Sequence, residues 1–400
     1  MSAPVRQVLM TCAVFEPGTR GGGLVPAVAG TVDSAPPDVE IRLVTLDRDI
    51  GDTHPYPGLS GRWVSRGRAL VFYLAARSPH QWLRLFGVLR SRRYDVLHVN
   101  GVFAPLTGAF LVAARLRLIR CRLLLVSPHG ECAPGALAIR ARKKRWYLRF
   151  LRALLRGADT RWHASTAFEA AHIAAVFPGA RVVTHHLPVD LPARARPPAC
   201  APADVTRTVF LSRIAPKKNL GTALRALRFA TGPLHLDVYG PVEDPAYWAR
   251  CAALIDALPA HVTVRHRGEV PPGAAIDVFS RYDAFVFPTR GENFGYVIAE
   301  SLAASCPVIC SAETPWTSVL DAGGGTVVGE SSPRAWADVL NAFAALSPGE
   351  RAVARARAGE AYDAWRAERT DGNLFAGAWA RQPSGRVRVG PGRGVPGGRR

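Results

Sequence analysis

The sequence has no apolar run of the ~18 residues that a membrane-spanning helix needs. The longest candidate, residues 103–114, is closed by Arg115 and Arg117. The apolar run at 8–15 is followed by Glu16 with no cleavage-like site, which favours a first strand over a signal peptide. Seven cysteines contain no C-x-x-C pair, and their number is odd. That argues against a disulfide framework or a zinc site, and for reduced thiols in a cytosolic protein. No G-x-G-x-x-G follows the first strand, so a dinucleotide fingerprint is lacking. Acids are scarce: 31 Asp+Glu stand against 51 Lys+Arg, a net charge of +20. The shortage is uneven. Residues 1–200 hold 28 Lys+Arg and 12 Asp+Glu, and the last twenty residues carry six Arg and no acid. Nucleic acid, an anionic membrane surface or phosphorylated ligands each fit that balance. No groove-reading nucleic-acid motif is visible, so no specific nucleic acid is expected.

What is present is 400 residues with 48% hydrophobic content, enough for two or three domains with real cores. Short apolar runs at 5–14, 41–45, 95–99 and 121–126 alternate with helical periodicity at 79–92 and 106–118. Alternation of this kind argues a parallel sheet with helices on both faces. The segment LPARARPPACAPAD at 191–204 reads as an interdomain linker, after which the pattern restarts. The expected organisation is a first Rossmann-like domain at 1–190, the linker, and a second Rossmann-like domain at 205–345. Helices at 346–382 are expected to pack back on the first domain, and 383–400 reads as a disordered basic tail.

The chain is organised around residues 284–300. Residues 284–287 form an apolar run of strand length, Pro288 stops it, and helical spacing begins after Gly295. A strand, a loop and a helix in that order place the loop where open α/β sheets bind ligands. The helix start offers N–H groups and a positive dipole end to an anion. Glu292 and Glu300 bracket it. Arg213 and Lys218 follow another strand end, and together with this loop they form a diphosphate site of two fixed cations and oriented N–H groups. Residues 138–156 read as one basic helix with Trp146, Tyr147 and Phe150 interleaved. Two readings stand: a core-packing helix with a solvated charged face, and a helix lying on an anionic membrane, in particular through 140–156. His185 and His186 are adjacent on a strand and point to opposite faces, so they do not chelate together.

Glu292-x7-Glu300, within TRGENFGYVIAESLAASCPV, resembles the E-x7-E motif of retaining glycosyltransferases of the GT-B fold, family four. LSRIAPKKNL at 211–220, YGPVEDPAYW at 239–248, GEV at 268–270 and SAETPW at 311–316 are similar to that family's segments. So, more loosely, are Gly21-Gly22-Gly23, DVLHVNG at 95–101 and SPHGECAPGAL at 127–137. The resemblance implies two Rossmann-like doubly wound domains facing across a cleft, with a nucleotide sugar as donor and no cofactor. It implies that Arg213 and Lys218 hold the donor diphosphate and that Glu292 and His129 lie against the donor sugar. Asn293, Phe294 and Gly295 would cradle sugar and phosphate, Glu300 would bind the ribose, and Thr314 would lie near the phosphates. Gly22 and Gly23 would approach the diphosphate from the other domain. Family members work without a metal, and no Asp-x-Asp is expected here to hold one. Asn100 stands where the family often has a second histidine. The implied activity is sugar transfer to a glycan or lipid-linked acceptor, in the cytoplasm or at the inner face of the plasma membrane. The alternatives are a same-fold epimerase or phosphorylase, or an inert nucleotide-sugar-binding scaffold.

Overall fold

The computed structural model describes residues 5–188, 190–198, 205–271, 273–369 and 373–375. The first domain runs β1 (Arg6–Thr11), α1 (Leu24–Asp33), β2 (Val39–Leu46), β3 (Trp63–Arg66), β4 (Ala69–Leu74), α2 (Pro79–Leu89), β5 (Arg93–Asn100), α3 (Pro105–Arg115), β6 (Arg120–Ser127), α4 (Pro134–Ala138), α5 (Ala141–Leu155), β7 (Thr160–Ala164), α6 (Ala167–Val176) and β8 (Arg181–Thr184). The second runs β9 (Thr206–Leu211), α7 (Leu220–Leu227), β10 (Leu234–Tyr239), α8 (Pro245–Asp256), β11 (Val262–Gly268), α9 (Ala275–Phe279), β12 (Ala284–Phe287), α10 (Tyr296–Ala303), β13 (Val308–Ser311), α11 (Thr317–Val319), β14 (Gly325–Val328), α12 (Pro333–Ala344) and α13 (Pro348–Glu368).

Each domain has its own sheet, ordered β3-β4-β2-β1-β5-β6-β7-β8 and β11-β10-β9-β12-β13-β14. All pairs are parallel except β3 with β4. Strands buried on both faces need continuous apolar runs, and alternate residues then feed different cores. In the first domain Leu9, Val44 and Leu97 enter one core, while Val8, Met10, Ile41 and Val96 enter the other. The strand order reverses between β1 and β5 in the first sheet and between β9 and β12 in the second. Those two switch points open a crevice at the carboxyl ends of the strands.

Three expectations are corrected. The hairpin β3–β4 lies in a stretch that the periodicity left blank; Gly67 turns it at φ 49. The basic helix is broken into α4 and α5 at Ile139-Arg140, with Arg140 left-handed at φ 54. Helix α13 packs on the second domain rather than the first. Its Ala358 and Tyr362 complete the second core, and buried Arg355 donates to the carbonyls of Tyr282, Ser280 and Ala304. The return to the first domain is made by the residues after α13. Arg369 Nη2 donates to Leu187 O at 2.7 Å, Asn373 Nδ2 donates to Ser34 O at 2.6 Å, and Leu374 and Phe375 are buried in the first core. Residues 191–196 also lean on the second domain: Tyr362 donates to Pro192 O at 2.6 Å and Ala195 N–H to Asp363 at 2.7 Å. The basic tail at 383–400 lies outside the described residues. No helix among the described residues is long and apolar enough to cross a membrane.

Candidate active site

The second-domain wall is built from the two loops at its switch point. After β9 the chain reaches Asn219, left-handed at φ 60, whose Nδ2 donates to Pro288 O at 2.9 Å. Arg290 N–H donates to Lys217 O at 2.9 Å. The loops are thereby locked together, and Lys218 Nζ meets Glu292 Oε1 at 2.5 Å with each side chain 12% exposed. Thr289 Oγ1 donates to the same oxygen at 3.0 Å, and Glu292 N–H donates to Glu313 O at 2.9 Å. Glu292 is therefore held from its side chain and its backbone. Arg213 is paired with Glu243 in a more exposed position. Gly295 caps α10 at φ 80, a conformation that favours glycine. A Cβ there would stand 3.1 Å from Ile298 and 3.2 Å from Trp316. Trp316 Nε1 donates to Phe294 O, fixing the turn before the helix. Ile298 N–H donates back to Gly295 O at 2.9 Å, and the N–H groups of Tyr296 and Val297 ahead of it are the ones that a helix start offers to a ligand.

The first domain supplies the opposite wall. Gly22 has φ 59, and a Cβ on it would lie 3.8 Å from Arg213 Nε. A Cβ on Gly23 would lie 3.1 Å from the Tyr296 ring. His129, itself left-handed at φ 51, donates through Nε2–H to Asn100 Oδ1 at 2.8 Å. Gly130 N–H donates to Glu169 Oε1 at 2.7 Å, and a Cβ on Gly130 would lie 2.7 Å from that of Asn293. Asn293 Nδ2 donates to Ser165 Oγ at 3.2 Å across the cleft. Behind this wall His163 Nε2–H donates to His185 O at 2.8 Å, so its Nδ1 accepts from Ser127 Oγ at 2.9 Å. Ser127 Oγ in turn accepts from His98 Nε2–H at 2.7 Å. Burial pushes His163 down to about 4 and holds His98 well below the usual range. Both are neutral at pH 7.

The electrostatics favour an anion. Burial lowers the pKa of Lys217; Glu292 opposes that, and Lys218, Arg213 and, from the first domain, Lys144 lower it further. Burial lowers His129 also, with Glu169 opposing. Glu300, whose carboxylate has no hydrogen bond or ion pair among the described residues, is pushed up to about 6 by burial. It sits one helical turn beyond Tyr296, whose ring faces Gly23.

Of the residues singled out in the sequence, Gly22, Gly23, Arg213, Lys218, Glu292, Asn293, Gly295 and His129 line one cleft. Phe294 is buried and presents backbone only. Thr314 is buried, and its hydroxyl accepts from Trp316 N–H at 3.4 Å, so it braces the loop under Glu292. Lys217, Ser165 and Glu169 belong to the cleft and escaped the sequence reading. Ser165-Thr166 at the end of β7 with Glu169 three residues after Thr166 is a helix-capping signature. Thr166 caps α6, but Glu169 turns to Ser165 N–H at 2.8 Å and to Gly130 instead. The sequence does carry an Asp-x-Asp, Asp47-Arg48-Asp49, against the expectation of none. Its carboxylates are engaged: Asp49 accepts from Thr19 N–H at 2.8 Å and Arg20 N–H at 3.2 Å, and Asp47 accepts from Ser60 at 2.7 Å. It fixes the glycine loop. Among the described residues no group of three His, Cys, Asp or Glu is placed to hold a metal.

Comparison with known proteins bears on the same two halves. Residues 22–188 match the glycosyl transferase 4-like domain, and residues 197–360 match the family described as glycosyl transferases group 1. A D-inositol 3-phosphate glycosyltransferase of Xylanimonas cellulosilytica is 31% identical over 166 residues, covering 38% of this chain and 39% of that one. An O-antigen chain mannosyltransferase B of Escherichia coli is 28% identical over 162 residues, covering 37% and 42%. The chain thus spans about two fifths of the length of these curated relatives. Sucrose-phosphate synthase from Thermosynechococcus elongatus superposes with a TM-score of 0.67 at 18% identity, covering 90% of this chain and 96% of that one. The Anabaena protein HepE, in complex with UDP and glucose, superposes at 0.65 with 14% identity, covering 91% and 95%. The architecture is the GT-B fold, two Rossmann-like domains across a cleft.

Proposed function

The chain belongs to the glycosyl transferases of group 1, and on that premise we propose that it moves a sugar from a nucleotide-diphosphate donor to a glycan or lipid-linked acceptor, retaining the anomeric configuration and using no resident metal. One observation carries the reading. Lys218 and Arg213 lie at the switch point of the second sheet, beside the start of α10, with Gly22 close against Arg213 from the other domain. Cleavage of the donor leaves negative charge on the diphosphate. Fixed cations and N–H dipoles stabilise that charge without reorganising. Arg213 and Lys218 take the diphosphate, and Gly22 and Gly23 let it approach because no side chain intervenes. When the diphosphate takes over Lys218, Glu292 is released toward the sugar, with Asn293, Gly295 and neutral His129 around it. Glu300 accepts from the ribose. Thr314 acts through the loop that it braces.

The acceptor side is supported by α5. Arg142, Lys143, Arg145 and Arg149 are exposed, Trp146 is 70% exposed between them, and none is ion-paired among the described residues. This face suits the anionic inner surface of a membrane. Flotation with anionic liposomes is expected to carry the protein up, and equal flotation after neutralising Lys143, Arg145 and Arg149 removes that role.

The donor reading is tested with a panel of nucleotide sugars, UDP-glucose first because the Anabaena neighbour is solved with it. A raised melting temperature and slow donor hydrolysis are expected with one member. A panel in which no nucleotide or nucleotide sugar shifts the melting temperature sinks the reading.

A further inference from the structure

Beside the cleft, on the first domain, an open apolar groove of about 430 Å³ runs along α3. Its floor is Gly108, Val112 and Leu118, and its sides are Trp82 and Phe86 of α2 and Phe150 of α5. Trp82 and Phe86 stack at 5.5 Å, and Phe86 rests on Phe110 at 5.8 Å, which makes that side rigid. The side chains named are hydrocarbon or aromatic, so an occupant finds little there to hydrogen-bond. One end leads through Tyr147 and Phe103 to Lys144. The position of a Cβ on Gly108 lies 3.5 Å from Tyr147 Oη, Tyr147 packs on Phe103 at 5.6 Å, and Lys144 Nζ stands 4.6 Å above the Phe103 ring. Lys144 is the cation that the first domain adds to the Lys217, Lys218 and Arg213 cluster.

The rim is cationic. Between Ser78 and Ala158 the only acids are Asp95 and Glu131. Glu131 is turned inward onto the N–H groups of Val102 and Phe103. Asp95 is engaged by Gln7 N–H and lies 3.8 Å from Arg122. Arg115 and Arg117 at one end of the groove, and Arg145 and Arg149 along its flank, have no carboxylate partner among the described residues. An exposed apolar channel inside an uncompensated cationic rim calls for a ligand that is both apolar and anionic.

Resting on the glycosyltransferase reading above, we propose that the groove along α3 seats the hydrocarbon chain of a phosphate-bearing lipid acceptor, whose headgroup is held at the cleft by Lys144. Such a lipid fits all three features: an apolar chain for the groove, negative charge for the rim, and a glycosylatable head at the cleft. The chain then acts as a ruler, since the head is delivered from a fixed distance along α3. A lipid taken up in this way is bound one molecule per protein. A membrane surface alone has no such stoichiometry.

Calorimetric titration of the full chain with dodecyl phosphate below its micellar concentration tests this, with butyl phosphate and a neutral dodecyl maltoside beside it. Dodecyl phosphate is expected to bind one to one, at least tenfold tighter than either. Val112→Trp fills the groove from its partly exposed face and is expected to lose that tenfold. Should Val112→Trp not fold, Leu118→Asp at the far end is expected to weaken binding in the same direction. Arg145→Gln with Arg149→Gln is expected to weaken dodecyl phosphate and leave the maltoside unchanged. Equal binding of the long and short phosphates, or wild-type binding by the filled variant, overturns the proposal. A concentration-dependent dimer that Val112→Trp abolishes and dodecyl phosphate leaves intact also overturns it, because the groove would then cover a second copy. The nucleotide-sugar shift in melting temperature reports separately. If it persists while chain length has no effect, the groove assignment fails and the donor reading stands.

Discussion

The Lys218–Glu292 pair is the most informative contact in the cleft. It offsets a cation that would repel its neighbours, and on the proposed function a diphosphate competes with Glu292 for Lys218. Glu292→Gln removes the competitor. Nucleoside diphosphate affinity is expected to stay level or rise, while kcat for transfer falls at least 100-fold. A parallel loss of affinity and kcat would show that Glu292 acts through the site's structure. Glu300 carries a different signature. Its pKa is raised from 4.5 to about 6 by burial. An acid with a raised pKa favours the fold when protonated, so its cost grows as pH rises from 4.5 through 6 and is complete above. At pH 7 that cost is about 2 kcal/mol. Glu300→Gln is therefore expected to melt higher at pH 7, with the pH-dependent part of the gap gone below pH 4.5, and to bind nucleotide more weakly. Unchanged stability across pH 4 to 8 contradicts the burial of this carboxylate. A site residue that costs stability is what a binding role predicts.

At the scale of elements, the stretch from β12 to α10 was legible because two signals coincide there. A four-residue apolar run of strand length gives way to helical spacing, with Pro288 and Gly295 marking the change. Gly295 is the sharpest test of that element. Gly295→Ala puts a Cβ into left-handed backbone against Trp316 and Ile298, and a loss of about 1–2 kcal/mol is expected, with the nucleotide-induced shift in melting temperature reduced. A variant as stable as the parent would mean that the turn relaxes freely. Other elements were not legible, for physical reasons. The β3–β4 hairpin sits at the sheet edge, where β3 is only partly buried and its pattern is weak. The break between α4 and α5 falls at Arg140, a residue type that seldom adopts left-handed backbone, so nothing in the local sequence marks it. Arg351 and Arg355 of α13 look like solvated charges, yet both are buried. Their partners include the Thr206 hydroxyl, the Asp283 carboxylate and the carbonyls of Ser280, Tyr282 and Ala304, which no periodicity reveals. Those arginines place α13 on the second domain. The cleft's second-domain wall could be read from consecutive motifs, whereas Ser165, Glu169 and Lys144 reach it from three separate elements.

At the scale of the molecule, the two sheets fold around separate cores. Arg369 and residues 373–375 reach the first domain, with Phe375 in its core, edge-on to His98 at 6.0 Å. Phe375→Ala empties a fully buried position, and a loss of about 3 kcal/mol is expected, concentrated in the first domain. Calorimetry should then separate two transitions, with the nucleotide-stabilised one unmoved. A single transition at the parent temperature would show that Phe375 does not couple the domains. The crossing has a further consequence. Two well-separated tethers leave only the axis through both, whereas two that touch act as a single pivot. The polypeptide passes between the domains near Leu187 and again near Arg369, and those two passages touch, Arg369 donating to Leu187 O. The covalent connections thus act as one pivot, so the register of the facing loops is set by their own contacts, Gly22 against Arg213 and Asn293 Nδ2 on Ser165 Oγ.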